Sequence, residues 1–339
     1  MVKEVVKEAL WWKPLKNKVV RCELCPRFCV ILPGDRGNCG VRENRAGTLY
    51  TLVYGRPCSL ALDPIEKKPF YHFMPGKQAL SIATAGCNLH CANCQNWEIS
   101  QAKPEEVPSL HMPPEKVVLK ATKENVDIIS YTYTEPTIFA EYVLDIAKLA
   151  KKAGMKNTIV SNGFINPEPL KQLCRYIDGA NIDLKSISDT FYKKVCQARV
   201  QPVLDALKIM KEEGIWIEIT NLIIPTLNDK ETEIKKLIVW IKNNLGVDVP
   251  LHFSAFYPAY KLLELPPTSF AILKKARKLA MKAGLHYVYT GNISDEEGST
   301  TFCPKCKKAL IKRRGFYVSE SNIENGKCSC GETIAGVWK

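Results

Sequence analysis

The stretch SIATAGCNLHCANC (81–94) joins a short apolar run to three cysteines across a single glycine. Ser81–Ala85 reads as a strand that stops at Gly86, and Cys87, Cys91 and Cys94 occupy the loop that follows. Three thiolates so close together, in a loop leaving the C-terminal edge of a parallel sheet, can converge on one soft metal centre. Two centres fit the spacing. A structural zinc takes four protein ligands, so a fourth would come from His90 or Cys58. Four iron atoms held by three cysteines would leave one iron open to a substrate or cofactor.

Downstream of this loop the chain alternates strands and helices. Asp127–Thr132, Asn157–Val160, Gly179–Leu184, Ile215–Thr220 and Val249–Ala255 read as strands. Between and after them the spacing predicts helices over Thr137–Ala153, Glu168–Tyr176, Val200–Glu213, Lys230–Asn243 and Thr268–Lys282. Gly154, Gly214 and Gly284 stop three of these helices. Six βα units with short connections predict an α/β protein with a parallel sheet covered by helices, as a doubly wound sheet or a full or partial barrel. No GxGxxG follows the first strand, which argues against dinucleotide binding. His286–Thr290 is a further strand or the start of a linker.

In such folds the site is built where strands end. Tyr131–Thr137 (YTYTEPT) follows the second strand, Asn162 the third, Asp183 and Lys185 the fourth, Thr220 and Asn221 the fifth. Thr134 or Thr137 also suits a helix cap, with Pro136 just inside the helix. Glu218 lies inside the strand IWIEIT, where an unpaired carboxylate is costly, and His252 lies in a half-apolar strand. Both are candidate substrate-side groups, with a satisfied core residue as the plain alternative. Cys174 and Cys196 stand alone near helical segments and read as buried thiols.

Two further cysteine sets flank this region. Cys22, Cys25, Cys29 and Cys39 lie on a short scaffold rich in glycine and proline. Four close thiolates suit a structural zinc or a second [4Fe–4S] cluster that relays electrons, and the spacing does not choose. Cys58 reads as a substitute ligand there or as a buried thiol. Cys303-Pro-Lys-Cys306 and Cys328-Ser-Cys330 bracket LIKRRGFYVSESNIENGK (310–327), which reads as a zinc-ribbon-like β module. Its second knuckle is CxC where CxxC is usual. Lys312, Arg313, Arg314, Phe316 and Tyr317 form a basic–aromatic cluster there, a candidate nucleic-acid contact against the plainer reading of a solvated turn.

Bulk properties bound the rest. Fourteen cysteines in 339 residues, with no apolar leader at the start MVKEVVKEALWW, point to metal sites rather than a disulfide framework and to a cytoplasmic chain. No apolar stretch of about 18 residues occurs, so no membrane span is expected. Lys+Arg at 48 against Asp+Glu at 35 gives a formal charge of +13. The lysines are scattered along amphipathic patterns, which favours a solvated face over a dedicated polyanion groove.

CxxxCxxC after a first core strand resembles the signature of radical S-adenosylmethionine (SAM) enzymes. With CELCPRFCVILPGDRGNCGVREN (22–44), CNLHCANCQNWEIS (87–100), YTYTEPT (131–137), VSNGF (160–164), NIDLKSISDTFYKKVC (181–196), NLIIPTLND (221–229) and HFSAFYP (252–258), the chain resembles one branch closely. That branch is the AmmeMemoRadiSam-system radical SAM family, which is pyruvate formate-lyase-activating-enzyme-like, and the likeness spans residues 18–339. The resemblance implies a partial (β/α)6 TIM-like barrel over 76–290. It is flanked by a cysteine-rich N-terminal extension (1–75) and the zinc-ribbon-like module (291–339).

The resemblance also implies that Cys87, Cys91 and Cys94 each ligate one iron of a [4Fe–4S] cluster and that SAM chelates the fourth. Reductive cleavage of SAM would then yield methionine and a 5′-deoxyadenosyl radical that takes a substrate hydrogen. Tyr133 and Thr134 replace the two glycines of the family's Gly-Gly-Glu-Pro segment, while Glu135 and Pro136 are retained. Carbonyls near Thr134, with Glu135, would take the SAM ammonium; Lys185 would pair with its carboxylate; Asn162 or Asp183 would bond the ribose. The implied partners are a low-potential electron donor such as ferredoxin or flavodoxin and a protein substrate bearing a glycine. A small molecule, a lipid or an RNA is the alternative substrate, and a non-catalytic metal- or RNA-binding module is a different class altogether.

Overall fold

The computed structural model describes residues 6–339; the first five residues of the N-terminal extension lie outside the described residues. Six short strands open the chain: β1 (Lys7–Glu8), β2 (Trp12–Pro14), β3 (Val20–Cys22), β4 (Val30–Ile31), β5 (Arg42–Arg45) and β6 (Thr48–Thr51). They form two small sheets, ordered β1-β6-β5 and β2-β3-β4. Each is too small to bury a core alone, and Val20, Leu24, Ile31, Val41 and Leu49 pack into the main hydrophobic core instead.

The main sheet begins with β7 (Ser59–Pro64) and β8 (Gln78–Ala83), which are antiparallel along their whole length. Then follow β9 (Ile128–Tyr131), β10 (Lys156–Ser161), β11 (Gly179–Asp183), β12 (Trp216–Ile223), β13 (Leu251–Ala255) and β14 (Val288–Gly291). From β8 to β14 every neighbour is parallel, and spatial order follows chain order without a reversal. A doubly wound sheet needs such a reversal, so that alternative is excluded. The stretch His286–Thr290 resolves as a strand, and one more strand goes beyond the sequence reading. β14 is a seventh parallel strand, and β7, inside segment 1–75, extends the sheet at its other edge.

Helices fill the connections: α1 (Trp97–Ser100), α2 (Pro114–Lys123), α3 (Ala140–Lys152), α4 (Pro167–Cys174), α5 (Asp189–Phe191), α6 (Gln201–Glu212), α7 (Glu231–Asn244) and α8 (Phe270–Lys282). The helix predicted from Thr137 starts as a tighter 3-10 turn, Pro136–Phe139, before α3. Proline at its first position needs no N–H partner there, and the Glu135 side chain caps it by accepting from the Thr137 N–H. The cap is therefore the glutamate rather than either threonine. α2 was not expected from the sequence.

Along the strands alternate residues share a face. Ile217, Ile219 and Ile223 of β12 join the core shared with the helices, while Glu218 and Thr220 face the other way. Toward the N-terminal strand ends, that second face is plugged by the segment Pro69–Met74. Phe70, Phe73 and Met74 form a cluster with Ile65, Ala79 and Ile128. A β-carbon on Gly179 would lie 2.9 Å from the Phe73 ring, so only glycine lets this plug seat.

The chain ends in α9 (Glu296–Ser299) and a three-stranded antiparallel ribbon, β15 (Thr301–Phe302), β16 (Ala309–Arg314) and β17 (Tyr317–Ser321). It docks on the plug: Arg313 donates to the Tyr71 carbonyl at 2.7 Å and stacks over the Tyr71 ring at 4.0 Å. Among the described residues, no helix is long and apolar enough to cross a membrane.

Candidate functional site

The loop after β8 is shaped by its glycine. Gly86 has φ +94°, and a β-carbon there would meet Val41 at 2.6 Å and the Cys39 carbonyl at 2.8 Å. The chain then turns so that Cys87, Cys91 and Cys94 all line one cavity of about 300 Å³ at the C-terminal strand ends. Tyr133, Thr134, Glu135, Asn162, Asp183, Lys185 and Thr220 line the same cavity.

Each of the three sulfurs has a polar group or thiol beside it. Cys87 Sγ accepts from the Leu89 N–H at 3.4 Å and from Asn162 Nδ2 at 3.7 Å. Cys94 Sγ lies 3.1 Å from Ser100 Oγ. Cys196 is the neighbour that acts most strongly on Cys91, pushing the Cys91 pKa down and its own up. Burial raises Cys87 and Cys94 above the ordinary thiol range. Metal loading must therefore expel protons from at least these two. Cys196, read from sequence as an isolated thiol, is held at the site by Ala92 N–H to Val195 and His90 N–H to Cys196 backbone bonds. Cys174, by contrast, is buried away from it on α4.

The strand-end groups are organised around one carboxylate. Glu135 is buried and accepts from Thr137 N–H at 2.9 Å, Thr137 Oγ1 at 2.6 Å, Ser161 Oγ at 2.7 Å and Asn162 N–H at 2.8 Å. It thus locks the β9 and β10 loops together. Asn162 in turn donates to Asn88 Oδ1 at 2.9 Å, beside Cys87. Thr134 Oγ1 donates to the Thr84 carbonyl at 2.8 Å. Tyr133, at a position where the related segment carries glycine, keeps φ +63°. A non-glycine residue there costs roughly 1–2 kcal/mol. Its side chain offsets this, because its hydroxyl donates to Asp63 and Lys68 Nζ sits 3.8 Å from the ring centroid.

Asp183 and Lys185 form an ion pair of 2.8 Å. Burial disfavours the charge on Lys185, but Asp183 and the Cys91 and Cys196 sulfurs outweigh it and hold the ammonium protonated. Unforeseen by the sequence, the cavity is also lined by Lys67 and by Lys68. Lys68 is buried, pairs with Asp63 at 2.8 Å, and burial pushes it down to about 8.

Glu218 and His252 do not line the cavity. Each is two residues nearer the N-terminal end of its strand than the cavity-lining Thr220 and Ser254, roughly 7 Å deeper. Glu218 accepts from the Tyr71 and His72 N–H groups at 3.0 and 2.8 Å and from His252 Nε2 at 2.7 Å. These two are satisfied core groups that anchor the plug, which corrects their reading as substrate-side candidates. Asn221 likewise turns away, donating to the Leu184 carbonyl at 2.8 Å. Both His90 nitrogens are engaged, by Gln101 at 2.6 Å and Asn38 at 2.9 Å, so His90 is not a free fourth ligand.

The C-terminal cysteines behave differently from these three. Cys303, Cys306, Cys328 and Cys330 have sulfurs all within 4.8 Å of one another, with Cys303–Cys330 and Cys306–Cys328 at 3.6 Å. They form a group able to hold one metal ion. Arg313 of the basic–aromatic cluster is buried, and Lys312 pairs with Glu320 at 2.7 Å, so two of its cations are committed within the fold.

Residues 81–238 match the radical SAM superfamily. An uncharacterised protein of Methanocaldococcus jannaschii is 47% identical over 332 residues, covering 97% of this chain and 99% of that protein. The chain belongs to the radical SAM superfamily. Within this superfamily it is also similar to the pyruvate formate-lyase-activating enzyme of Clostridium pasteurianum, 25% identical over 48% of this chain and 69% of that enzyme. Among solved structures, a radical SAM methyltransferase from Sphaerobacter thermophilus shares the fold, with a TM-score of 0.50 and 12% identity. That match covers 64% of this chain and 67% of the methyltransferase.

Superfamily membership implies a [4Fe–4S] cluster and SAM, and the residues present fit both. The donors are three thiols on one loop, with a backbone N–H beside Cys87 and a hydroxyl beside Cys94. The cavity is far larger than one ion needs. Asn93, in the same wall, keeps a buried Oδ1 with no partner in the protein.

Proposed function

We propose that this chain is a radical SAM oxidoreductase of the activating-enzyme type, built on a partial barrel, whose substrate is a glycine-bearing protein. The observation that carries the reading is the shared cavity: the three cysteines and the polar ends of six later strands open into one space. When bound there, the cluster and SAM supply a one-electron reductive cleavage that gives methionine and a hydrogen-abstracting 5′-deoxyadenosyl radical.

The chain's residues do the holding. Cys87, Cys91 and Cys94 would supply three thiolates and leave one iron for SAM. The Lys185 ammonium would bind the SAM carboxylate, with Asp183 fixing its position. Backbone carbonyls around Thr134 and Tyr133 would accept from the SAM ammonium, with Glu135 orienting the loop rather than bonding directly, because its oxygens are already used. Asn162 lies between the Glu135 loop and Cys87, where it can reach the ribose. The plug and the strand-end loops shield the cavity floor from water.

Similarity to activating enzymes supports a protein substrate and a low-potential electron donor such as ferredoxin or flavodoxin. The open mouth would admit a partner loop. The compact C-terminal set would hold structural zinc, since zinc–sulfur bonds of about 2.3 Å place tetrahedral sulfurs roughly 3.8 Å apart. A division at residues 75/76 and 290/291 would separate β7 from its partner β8 and cut through β14, so the main sheet draws on all three segments.

Deuterium transfer tests the reaction. A partner protein deuterated at glycine Cα should pass label into 5′-deoxyadenosine. Label arriving only from a small molecule, a lipid or an RNA would replace the glycine reading.

A further inference from the structure

The two outlying cysteine sets each offer four thiols, yet their geometry separates them. The C-terminal four are drawn into mutual sulfur contact. Among the described residues, no three ligand atoms of the N-terminal set meet the same 4.8 Å limit. Instead Cys22, Cys25, Cys29 and Cys39 surround one small void with their sulfurs held apart. Four thiolates on one zinc are drawn together, because each stands about 2.3 Å from the metal and so roughly 3.8 Å from the others. Thiolates on four different irons stand farther apart, around a core of irons and sulfides.

The wall is furnished for such a core. The Asn38 N–H reaches Cys29 Sγ at 3.4 Å, and buried Arg42 reaches Cys22 Sγ at 3.7 Å. Arg27 and Arg42 both line the void, and Arg27 Nη2 and Arg42 Nε are buried donors with no protein partner. Inorganic sulfides would accept from such donors, whereas a zinc tetrahedron brings no new acceptor. Asn88, next to Cys87, also lines the void, and the Cys39 carbonyl packs on Gly86.

From this we infer that Cys22, Cys25, Cys29 and Cys39 hold a second [4Fe–4S] cluster, not zinc, directly behind the loop of Cys87, Cys91 and Cys94. The inference goes beyond the proposed reaction and does not depend on it. A cluster in this place can take one electron from a reduced ferredoxin- or flavodoxin-type carrier, which is oxidised by one electron. Passing that electron to the first centre returns it to its oxidised form.

The test uses full-length chain purified anaerobically from iron-replete cells. Iron, acid-labile sulfide and zinc are counted in the native chain and in the Cys87→Ala/Cys91→Ala/Cys94→Ala variant. The inference expects about eight irons per native chain, about four in the triple variant with matching sulfide, and one zinc in each. On reduction the triple variant should show an S = ½ electron paramagnetic resonance signal. A triple variant with no iron and two zincs per chain overturns the inference. Four irons in both proteins would instead keep it and sink the first cluster. Should the triple variant fail to fold, Cys22→Ser/Cys25→Ser in the otherwise native chain must lose about half the iron. Unchanged iron with one zinc lost overturns the inference.

Discussion

The carbonyl oxygen of Cys39 lies 2.8 Å from the place a β-carbon on Gly86 would occupy, so the N-terminal cysteine scaffold and the Cys87 loop can only close on each other through a glycine. Gly86→Ala should therefore cost more than the roughly 1–2 kcal/mol of its left-handed backbone, because Val41 and Cys39 must also shift. Chemical denaturation of the metal-loaded protein measures it. A change below about 0.5 kcal/mol would show that the scaffold yields freely.

The Lys185–Asp183 pair sets a second expectation. Lys185→Met removes the ammonium proposed to bind the SAM carboxylate, and a charge-assisted bond of this kind is worth about 1.5–3 kcal/mol. SAM affinity of the anaerobic, cluster-loaded protein, measured by equilibrium dialysis, should fall on the order of 10–100-fold. Iron content should stay unchanged. Undiminished affinity would assign the lysine to Asp183 and Cys91 alone.

A pH effect follows from His72. Nδ1 donates to the Ala335 carbonyl at 2.7 Å and Nε2 accepts from the Tyr289 hydroxyl at 2.6 Å, which leaves the neutral ring satisfied. Burial pushes its pKa down to about 4 from the ordinary 6.5. The unfolded chain then binds more protons across that window, so this stability is present above about pH 6.5 and is lost as pH falls toward 4. The contribution to the slope is at most about 1.4 kcal/mol per pH unit. Urea midpoints of His72→Phe should show a shallower acid decline than the native chain. Equal slopes would mean that another group carries the titration.

Metal removal should act locally at first. Stripping the Cys303, Cys306, Cys328 and Cys330 group with a chelator frees the ribbon that clamps His72 through Ala335 and Tyr71 through Arg313. Protease nicking within 301–339 should appear before the main sheet opens. Cleavage patterns unchanged by chelation would show that strand pairing alone holds the ribbon.

Much of this was legible in the sequence because period and spacing are local signals. The helix-period patterns marked α3, α4, α6, α7 and α8 to within a few residues. The cavity-lining Glu135, Asn162, Asp183 and Lys185 follow from their place at strand ends. Alternation reveals which face a strand residue takes but not its depth. Glu218 and His252 were therefore expected at the site, although they lie a layer below it. Lys68 was missed because Lys67-Lys68 reads as two solvated charges, and only the folded position of Asp63 and Tyr133 turns one inward. Arg313 reads as a surface cation for the same reason. α2 was missed because PEKVVLKATK is polar and short, although Pro114 at its first position was a usable start signal. How far apart folding leaves the sulfurs of the expected zinc ribbon and of the N-terminal set is not encoded in their spacings.

The central claim is that Cys87, Cys91 and Cys94 build a centre for reductive SAM cleavage at the mouth of this cavity. Anaerobic protein given SAM and a low-potential reductant should produce 5′-deoxyadenosine and methionine in equal amounts. Cys91→Ala should produce neither while retaining its fold by circular dichroism. Native protein with its full iron content that releases no 5′-deoxyadenosine would contradict the account.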